Sequence, residues 1–295
     1  MNSVPNAFLE SVCMQLDKWD LNELTAIRGW WSVIAAIHHN KRRDVWVILD
    51  ANQKGTQVRI RILEAQSGLS VFSPLDARHD RITNIAFVLR RDEEMLPAEV
   101  SFDWFQKKAL PVLRSLAFGC QLRFYLDRSF PHYTDSIIDS LHGCSQLEQI
   151  FIENCGEKCP EFIKHQINLG HLSCLYLYGT YEWPDSLQTS LKSFLKSPNC
   201  RVLDLGSTNL MLDFDMVSCV VERFLKGDFS HCAFLIGKPS FPVARLHNLY
   251  VNEQRTYNDE DDEDDIVTNW IGSSERLLAR YTSRGTLRLC VRYIF

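Results

Sequence analysis

Apolar residues recur every four positions near the start of the chain, where Phe8, Val12 and Leu16 follow Ser3-Val4-Pro5. That spacing stacks them along one stripe of a helix, and a proline is tolerated at or before a first helical turn. Asp17-Lys18-Trp19-Asp20 interrupts the stripe, with Asp20 placed to act as N-cap for the next segment. Leu21, Leu24 and Ile27 then form a second stripe that breaks at Gly29. Trp30, Ile34 and Ile37 predict a third short helix, ending near His38-His39-Asn40-Lys41-Arg42-Arg43.

After Arg43 the period shortens to two. Val45, Val47 and Leu49 alternate with other residues, as do Val58, Ile60 and Ile62, and Asn52-Gln53-Lys54-Gly55 lies between them. This predicts a strand, a turn and a strand, a hairpin. Pro74 and the polar stretch 76–81 mark a loop. From residue 82 a unit recurs with apolar positions at its first, fourth and sixth places: Ile82-x-x-Ile85-x-Phe87, Leu147-x-x-Ile150-x-Ile152 and Leu172-x-x-Leu175-x-Leu177. Leu122, Phe124 and Leu126 alternate in the same manner, Leu203-x-Leu205 is a looser copy, and Leu246-x-x-Leu249-x-Val251 reads as a later one. Starts at 147, 172 and about 200 lie in the pitch range of leucine-rich repeats.

Helical stretches separate these strands. Thr134-Asp135 precedes Ile137, Ile138 and Leu141; Pro160 opens Phe162, Ile163 and Ile167; Pro184-Asp185 precedes Leu187, Leu191 and Leu195. Met216, Val220 and Phe224 stripe a last helix closed by Gly227. Strand–helix alternation at this pitch makes a parallel sheet with helices along one side, and each unit needs its neighbours to bury its stripe. Leu287, Leu289, Val291 and Tyr293, beyond Ser283-Arg284-Gly285, read with Leu277 and Leu278 as a terminal strand pair or cap. The expected fold class is therefore α/β: a three-helix module over residues 1–43, then an irregular leucine-rich-repeat-like array over 44–295. A less regular α/β domain is the alternative.

Composition narrows the class. Apolar types at 45% and charged types at 23% exclude a wholly disordered or collagen-like chain. No apolar run approaches the ~20 residues that span a bilayer, and Glu10 interrupts the N-terminus early, so neither a membrane helix nor secretion is expected. The net charge of −5 hides a local feature: seven of the negative charges sit in one run, Asp259 to Asp265, within an expected acidic loop over 258–265. The remainder is nearly neutral, which argues against nucleic acid as the main partner. Ten scattered cysteines without a secretory leader read as reduced thiols of a cytoplasmic or nuclear protein.

Three helices of this length cannot bury all their apolar residues, and Trp30 and Trp31 cannot both face one small interior. Either one indole packs on the downstream domain or the module lends an apolar face to another protein. The segment from Val4 to Trp31 resembles an F-box. Val4-Pro5 stands for the family's Leu-Pro, Phe8 and Leu9 for the next apolar pair, and Val12 and Leu16 for the following two positions. Asp20-Leu21 matches the Asp-Leu step, Ile27 the valine and Trp31 the tryptophan. Ala7 replaces a usual acidic residue and Arg28 a common cysteine. The chain as a whole is similar to the nematode-type F-box families, with Asn40-Lys41-Arg42-Arg43 after the motif.

That resemblance implies a non-catalytic substrate receptor of a Skp–cullin–F-box ubiquitin ligase. Pro5, Phe8, Leu21, Leu24, Trp30 and Trp31 would contact the Skp-family adaptor, and through it a cullin. The repeat surface would hold an unidentified protein target. The outward positions of the strands stack into a ladder, expected to comprise Tyr125, Phe151, Tyr176, Asp204 and Tyr250, with Tyr178 in the next column beside Asp127, Glu153, Gly206 and Asn252. Exposed aromatic stripes mark partner surfaces, unless a loop or the C-terminal segment covers them. The alternative function is a protein-interaction scaffold whose helices cap the array without engaging a ligase. An enzyme with a pocket that no motif reveals is a third. No phosphate loop or Gly-x-Ser-x-Gly elbow is present. Cys155, Cys159, His165 and His171 are too closely spaced for a zinc finger, so neither metal nor cofactor is expected.

Overall fold

The computed structural model describes residues 4–52, 56–65, 75–88, 99–125, 131–179, 181–229, 233–250, 254–256, 266–272 and 275–293. The acidic run and the ladder positions Asp127 and Asn252 lie outside them. Three helices come first: α1 (Asn6–Gln15), α2 (Lys18–Thr25) and α3 (Trp30–Lys41). The cap of α2 is Asp17 rather than Asp20: its carboxylate accepts the backbone N–H of Asp20 at 2.7 Å, which makes Asp20 the third residue of the helix.

The chain then enters β1 (Arg43–Ala51) and turns back in β2 (Gln57–Glu64), the expected antiparallel hairpin with Val47 opposite Ile62. β3 (Asp80–Val88) runs parallel to β1, and the short β4 (Glu99–Ser101) edges β2. A helical stretch that no motif had marked follows: α4 (Phe102–Trp104), a π-helical turn (Phe105–Ala109) and α5 (Leu110–Leu116). Strands and helices then alternate through β5 (Ala117–Tyr125), α6 (Pro131–Leu141), β6 (Leu147–Glu153), α7 (Cys159–Leu169) and β7 (Cys174–Tyr178). They continue with α8 (Gln188–Lys196), β8 (Val202–Asp204), β9 (Met211–Leu212), α9 (Phe214–Leu225) and β10 (Phe234–Pro239). Last come β11 (Gln254–Thr256), β12 (Ile266–Ile271), β13 (Glu275–Tyr281) and β14 (Leu287–Tyr293).

The result is a mixed α/β fold around one continuous sheet, ordered β11-β12-β13-β14-β10-β8-β7-β6-β5-β3-β1-β2-β4, with β9 pairing β10 off that path. From β1 to β10 the central strands are parallel. Their register places Ile85, Leu122, Ile150, Leu175, Leu203 and Leu235 side by side in one row, and all six are buried. The three steps between Leu122 and Leu203 are 28, 25 and 28 residues long. Helical residues such as Ile137, Phe162, Leu191 and Val217 share one core with this row, so burial is one-sided.

One expectation needs correction. Leu246 and Leu249 lie in no strand: Pro242 starts a 3₁₀ helix over Val243–Asn248, which turns Leu246 inward, Val251 lies outside the described residues, and the strand beside β8 in the sheet is β10. Of the two C-terminal readings, strand pair or cap, the strand pair forms: β13 and β14 pair antiparallel with Leu277 opposite Val291, and β14 pairs antiparallel with β10, so the sheet extends through β13, β12 and β11.

The helices have a separate small core of Leu9, Cys13, Leu21, Ile34 and Ala35, and Arg42 alone separates α3 from β1. The Arg42 guanidinium, 3% exposed, donates through Nη2 to the Cys13 carbonyl at 2.7 Å. Arg43 donates Nε and Nη2 to the two oxygens of buried Asp80, both at 2.7 Å, and the Asp76 N–H donates to the same carboxylate. The starts of β1 and β3 are thus locked together beneath the helices. His38 and His79 stack obliquely at this junction with ring centroids 5.0 Å apart, and neither Nδ1 has a partner.

Burial, reinforced by neighbouring cations, holds both imidazoles below their ordinary pKa and lowers that of Arg81 to about 10. A base with a depressed folded pKa stabilises the fold above its ordinary value, and that stability is lost as pH falls below it, because the unfolded chain then binds more protons. The melting temperature should therefore drop between about pH 7 and about pH 5.5, a window above ordinary carboxylate titration. The H38Q/H79Q variant should flatten the drop in a series of thermal melts, and an equal drop in both proteins would exclude the histidines as its origin.

Candidate docking surfaces

The apolar residues of the helical module divide sharply. Leu21 is fully buried in the module's own core, and Leu24 and Trp31 pack against that core half-buried. Leu21 therefore cannot touch an adaptor in the folded chain, contrary to its sequence assignment. Pro5 is exposed, Phe8 is 55% exposed and Trp30 is 63% exposed. The single α3 stripe expected for Trp30, Ile34 and Ile37 splits: Ile34, Ala35 and His38 face inward, whereas Trp30, Val33 and Ile37 stand outside. Positions i, i+3 and i+7 share one helical face, so these three form the outward stripe. Trp19 on α2 and Ile27 after it are also exposed and were missed as site residues. A count of apolar residues against the capacity of so small a core was the available signal for them.

The second surface is the face of the sheet opposite α6–α9. The observed register gives its central row as Ala86, Arg123, Phe151, Tyr176, Asp204, Ile236 and Arg288. Tyr125 is therefore one step off the expected ladder. It belongs to the next row, level with Glu153 and Tyr178, because Arg123 is the β5 residue that pairs with Phe151. Tyr250 leaves the ladder altogether: it follows the 3₁₀ helix with φ 53°, and Ile236 takes its place in the row.

Within the row, Phe151 and Tyr176 stack at 4.0 Å with 7° between their planes, and the Arg123 guanidinium sits 4.9 Å from the Phe151 ring. Arg123 also donates to the hydroxyl of exposed Tyr125 at 3.1 Å. Burial pushes the Tyr176 and Tyr178 phenols above their ordinary range, so both remain protonated donors. On the other side of the row, the amide of Asn84 donates to Gln121 at 2.8 Å and that of Gln121 to Gln149 at 3.1 Å. The sequence pattern gave no warning of this amide chain, since its members lie one position before apolar residues chosen for the core. Asp204 is partly engaged, accepting the Gly206 N–H at 2.9 Å.

Among the described residues no group of three or more metal-ligating side chains converges. Cys155 and Cys159 lie 3.7 Å apart as free thiols, and the hydrogen bond with Cys159, followed by burial, raises the pKa of the Cys155 thiol. The groove between α8 and α9 neutralises its own charge, because Lys192 pairs with Asp213 and Lys226 with Glu222. No described helix is long and apolar enough to cross a membrane. No protein-family model matches the chain, and no curated protein matches it.

The Tyr178 hydroxyl reaches from β7 past β6 to donate to the carbonyl of Phe124, just beyond the point where β5–β6 pairing ends at Arg123 and Phe151. Removing that donor leaves the carbonyl less satisfied. Y178F should lower unfolding free energy by about 1 kcal/mol in urea titrations without changing the fold, and an unchanged midpoint would show that the bond does not support the row.

Proposed function

We propose that this chain is the substrate-recognition subunit of a Skp–cullin–F-box ubiquitin ligase, acting in the cytoplasm or nucleus. Its helical module docks on the Skp-family adaptor and its open sheet face holds a protein target. The reading rests on the F-box resemblance of Val4–Trp31. The observation that carries it is the surplus of apolar side chains on α1–α3: Leu9, Leu21 and Ile34 complete the module's own core, yet Phe8, Trp19, Trp30, Val33 and Ile37 stay outside. Such concentration on a small bundle is characteristic of a partner surface.

A leucine-rich-repeat-like arrangement of the body supports the second half of the reading. The parallel strands keep a pitch of 25 to 28 residues between β5 and β8, and α6 to α9 all bury residues in the core on their inner face. Cys155, three residues beyond Ile152, is buried at the position where such a repeat carries asparagine or cysteine. The protein itself performs no bond chemistry. It raises the effective concentration of a target lysine near the conjugating enzyme that carries the thioester.

The scaffold reading draws on the junction, where buried His38 and Arg42 fasten the helices to the array. An exposed-face variant separates the two readings. F8A/W30A should reduce co-purification with the adaptor at least tenfold while leaving the melting temperature unchanged, since hot-spot aromatics contribute about 2 kcal/mol or more each. L21A is the contrast: it opens a cavity costing about 2–5 kcal/mol and destabilises the module itself. Undiminished adaptor binding by F8A/W30A would exclude the ligase role and leave the scaffold.

A further inference from the structure

Cys155 and Cys159 are the only pair of cysteines among the described residues whose sulfurs lie within hydrogen-bonding distance. The turn over 154–158 joins the end of β6 to the start of α7 and sets their Sγ atoms 3.7 Å apart. Both side chains are fully buried. The two sulfurs differ in character. Cys159 is the first residue of α7, and its pKa lies below the ordinary thiol value. The hydrogen bond from the Cys155 thiol is the main cause, and the backbone N–H groups of Cys155 and Gly156 add to it against the opposing effect of burial. Cys155 moves the other way, raised by the same hydrogen bond and then by burial. One sulfur is held as acceptor, the other as donor.

Other thiols lack this arrangement. Burial raises those of Cys120, Cys144, Cys174 and Cys200, and none has a second sulfur in contact among the described residues. The cover over the pair is also thin. Glu157 and Lys158 are exposed and Gly156 is half-buried. Two side chains of α6 tie this turn down: Asp135 accepts the Lys158 N–H at 3.2 Å, and Asp139 pairs with the Lys158 ammonium. Within the turn, the bond from the Cys159 N–H to the Gly156 carbonyl is long, at 3.4 Å. A turn held by so few surface contacts opens locally while the sheet stays intact.

We propose that Cys159 is a site of oxidation by a small hydroperoxide and that Cys155 resolves the product to an intrachain disulfide. In the first step the Cys159 sulfur attacks one peroxide oxygen. The O–O bond breaks, the distal oxygen leaves as water or alcohol with the thiol proton, and Cys159 becomes a sulfenic acid. In the second step the Cys155 sulfur attacks the Cys159 sulfur. The S–O bond breaks and the hydroxyl leaves as water with the Cys155 proton. Two thiols lose two electrons in all, and the peroxide takes them up. A disulfide sets its sulfurs about 2.05 Å apart, so the pair closes by about 1.7 Å from its present separation. That movement draws the first turn of α7 toward the end of β6, where Glu153 stands level with Tyr178 on the open face. Neither adaptor nor target enters this chemistry, which stands apart from the receptor reading.

Reduced full-length protein is treated with hydrogen peroxide or, separately, with glutathione disulfide, its remaining thiols are alkylated, and the chain is digested with trypsin. Lys158 lies between the two cysteines, so cleavage after it releases two peptides unless a disulfide joins them. Peroxide should give the joined peptides at least tenfold ahead of oxidation at any other cysteine, and a reductant should part them. Glutathione disulfide, too bulky for the covered pair, should give at least tenfold less at equal concentration. C155S should abolish the joined product and leave a sulfenic acid at Cys159 that dimedone traps, whereas C159S should yield neither. Peptides that separate without reductant after peroxide treatment of the wild-type chain would overturn the proposal whether or not the variants fold. Equal yields from the two oxidants would refute the hydroperoxide assignment, and dimedone trapped at Cys155 in C159S would refute the roles given to the two sulfurs.

Discussion

Burial on one side governs this molecule. Every central strand presents its apolar column to the same layer of helices, and in-register rows such as Leu122, Ile150, Leu175 and Leu203 bury each strand against the next. No unit can satisfy its stripe alone, so order propagates from neighbour to neighbour. The same constraint frees the opposite positions. Residues 123, 151, 176, 204 and 236 need not be apolar to hold the fold, and the chain uses them for a cation, two aromatics, an acid and an isoleucine. What these positions touch is one another: a guanidinium over a ring, a ring on a ring, an amide on an amide.

The helical module is joined to this array by buried polar chemistry rather than by a shared apolar core. Its five buried core residues form their own cluster, and the link runs through Arg42 to the Cys13 carbonyl and through Arg43 to Asp80. A bidentate guanidinium–carboxylate pair fixes direction as well as distance. Removal of one partner strands a buried charge, so the geometry tolerates little drift. The placement of the helical module on the array is therefore set where α3 passes into β1.

Much of this was legible in the chain. Period-two runs located β1, β2, β3 and β5 to β8, and the helical stripes of α6 to α9 were visible with their Pro, Asp and Gly boundaries. The misreadings have physical causes. Leu246, Leu249 and Val251 have the spacing of a strand, but Pro242 commits the backbone to a 3₁₀ turn, and spacing alone does not distinguish the two. Phe234 to Pro239 was passed over as a strand; its pairing partners come from β8, β9 and β14, all distant in sequence. Tyr125 was misplaced because Leu122, Phe124 and Leu126 leave two alternating positions between them, Arg123 and Tyr125, and spacing within one strand does not say which lies level with Phe151 on the next. On the helices, periodicity grouped Trp30 with Ile34, whereas packing against α1 and α2 placed them on opposite sides of α3.

The two halves of the open face obey different physics. Phe151, Tyr176 and Arg123 already satisfy one another, so a ligand gains there by covering apolar surface, worth roughly 25 cal/mol per Å² and indifferent to salt. Lys238, Arg284 and Arg288 are exposed and make no ion pair among the described residues, and attraction to such groups is screened beyond about 8 Å at physiological ionic strength. Exposed charge accelerates encounter and selects between partners more than it prolongs residence. Apolar stacking does the reverse and slows departure, so the two halves of the face differ in their response to salt.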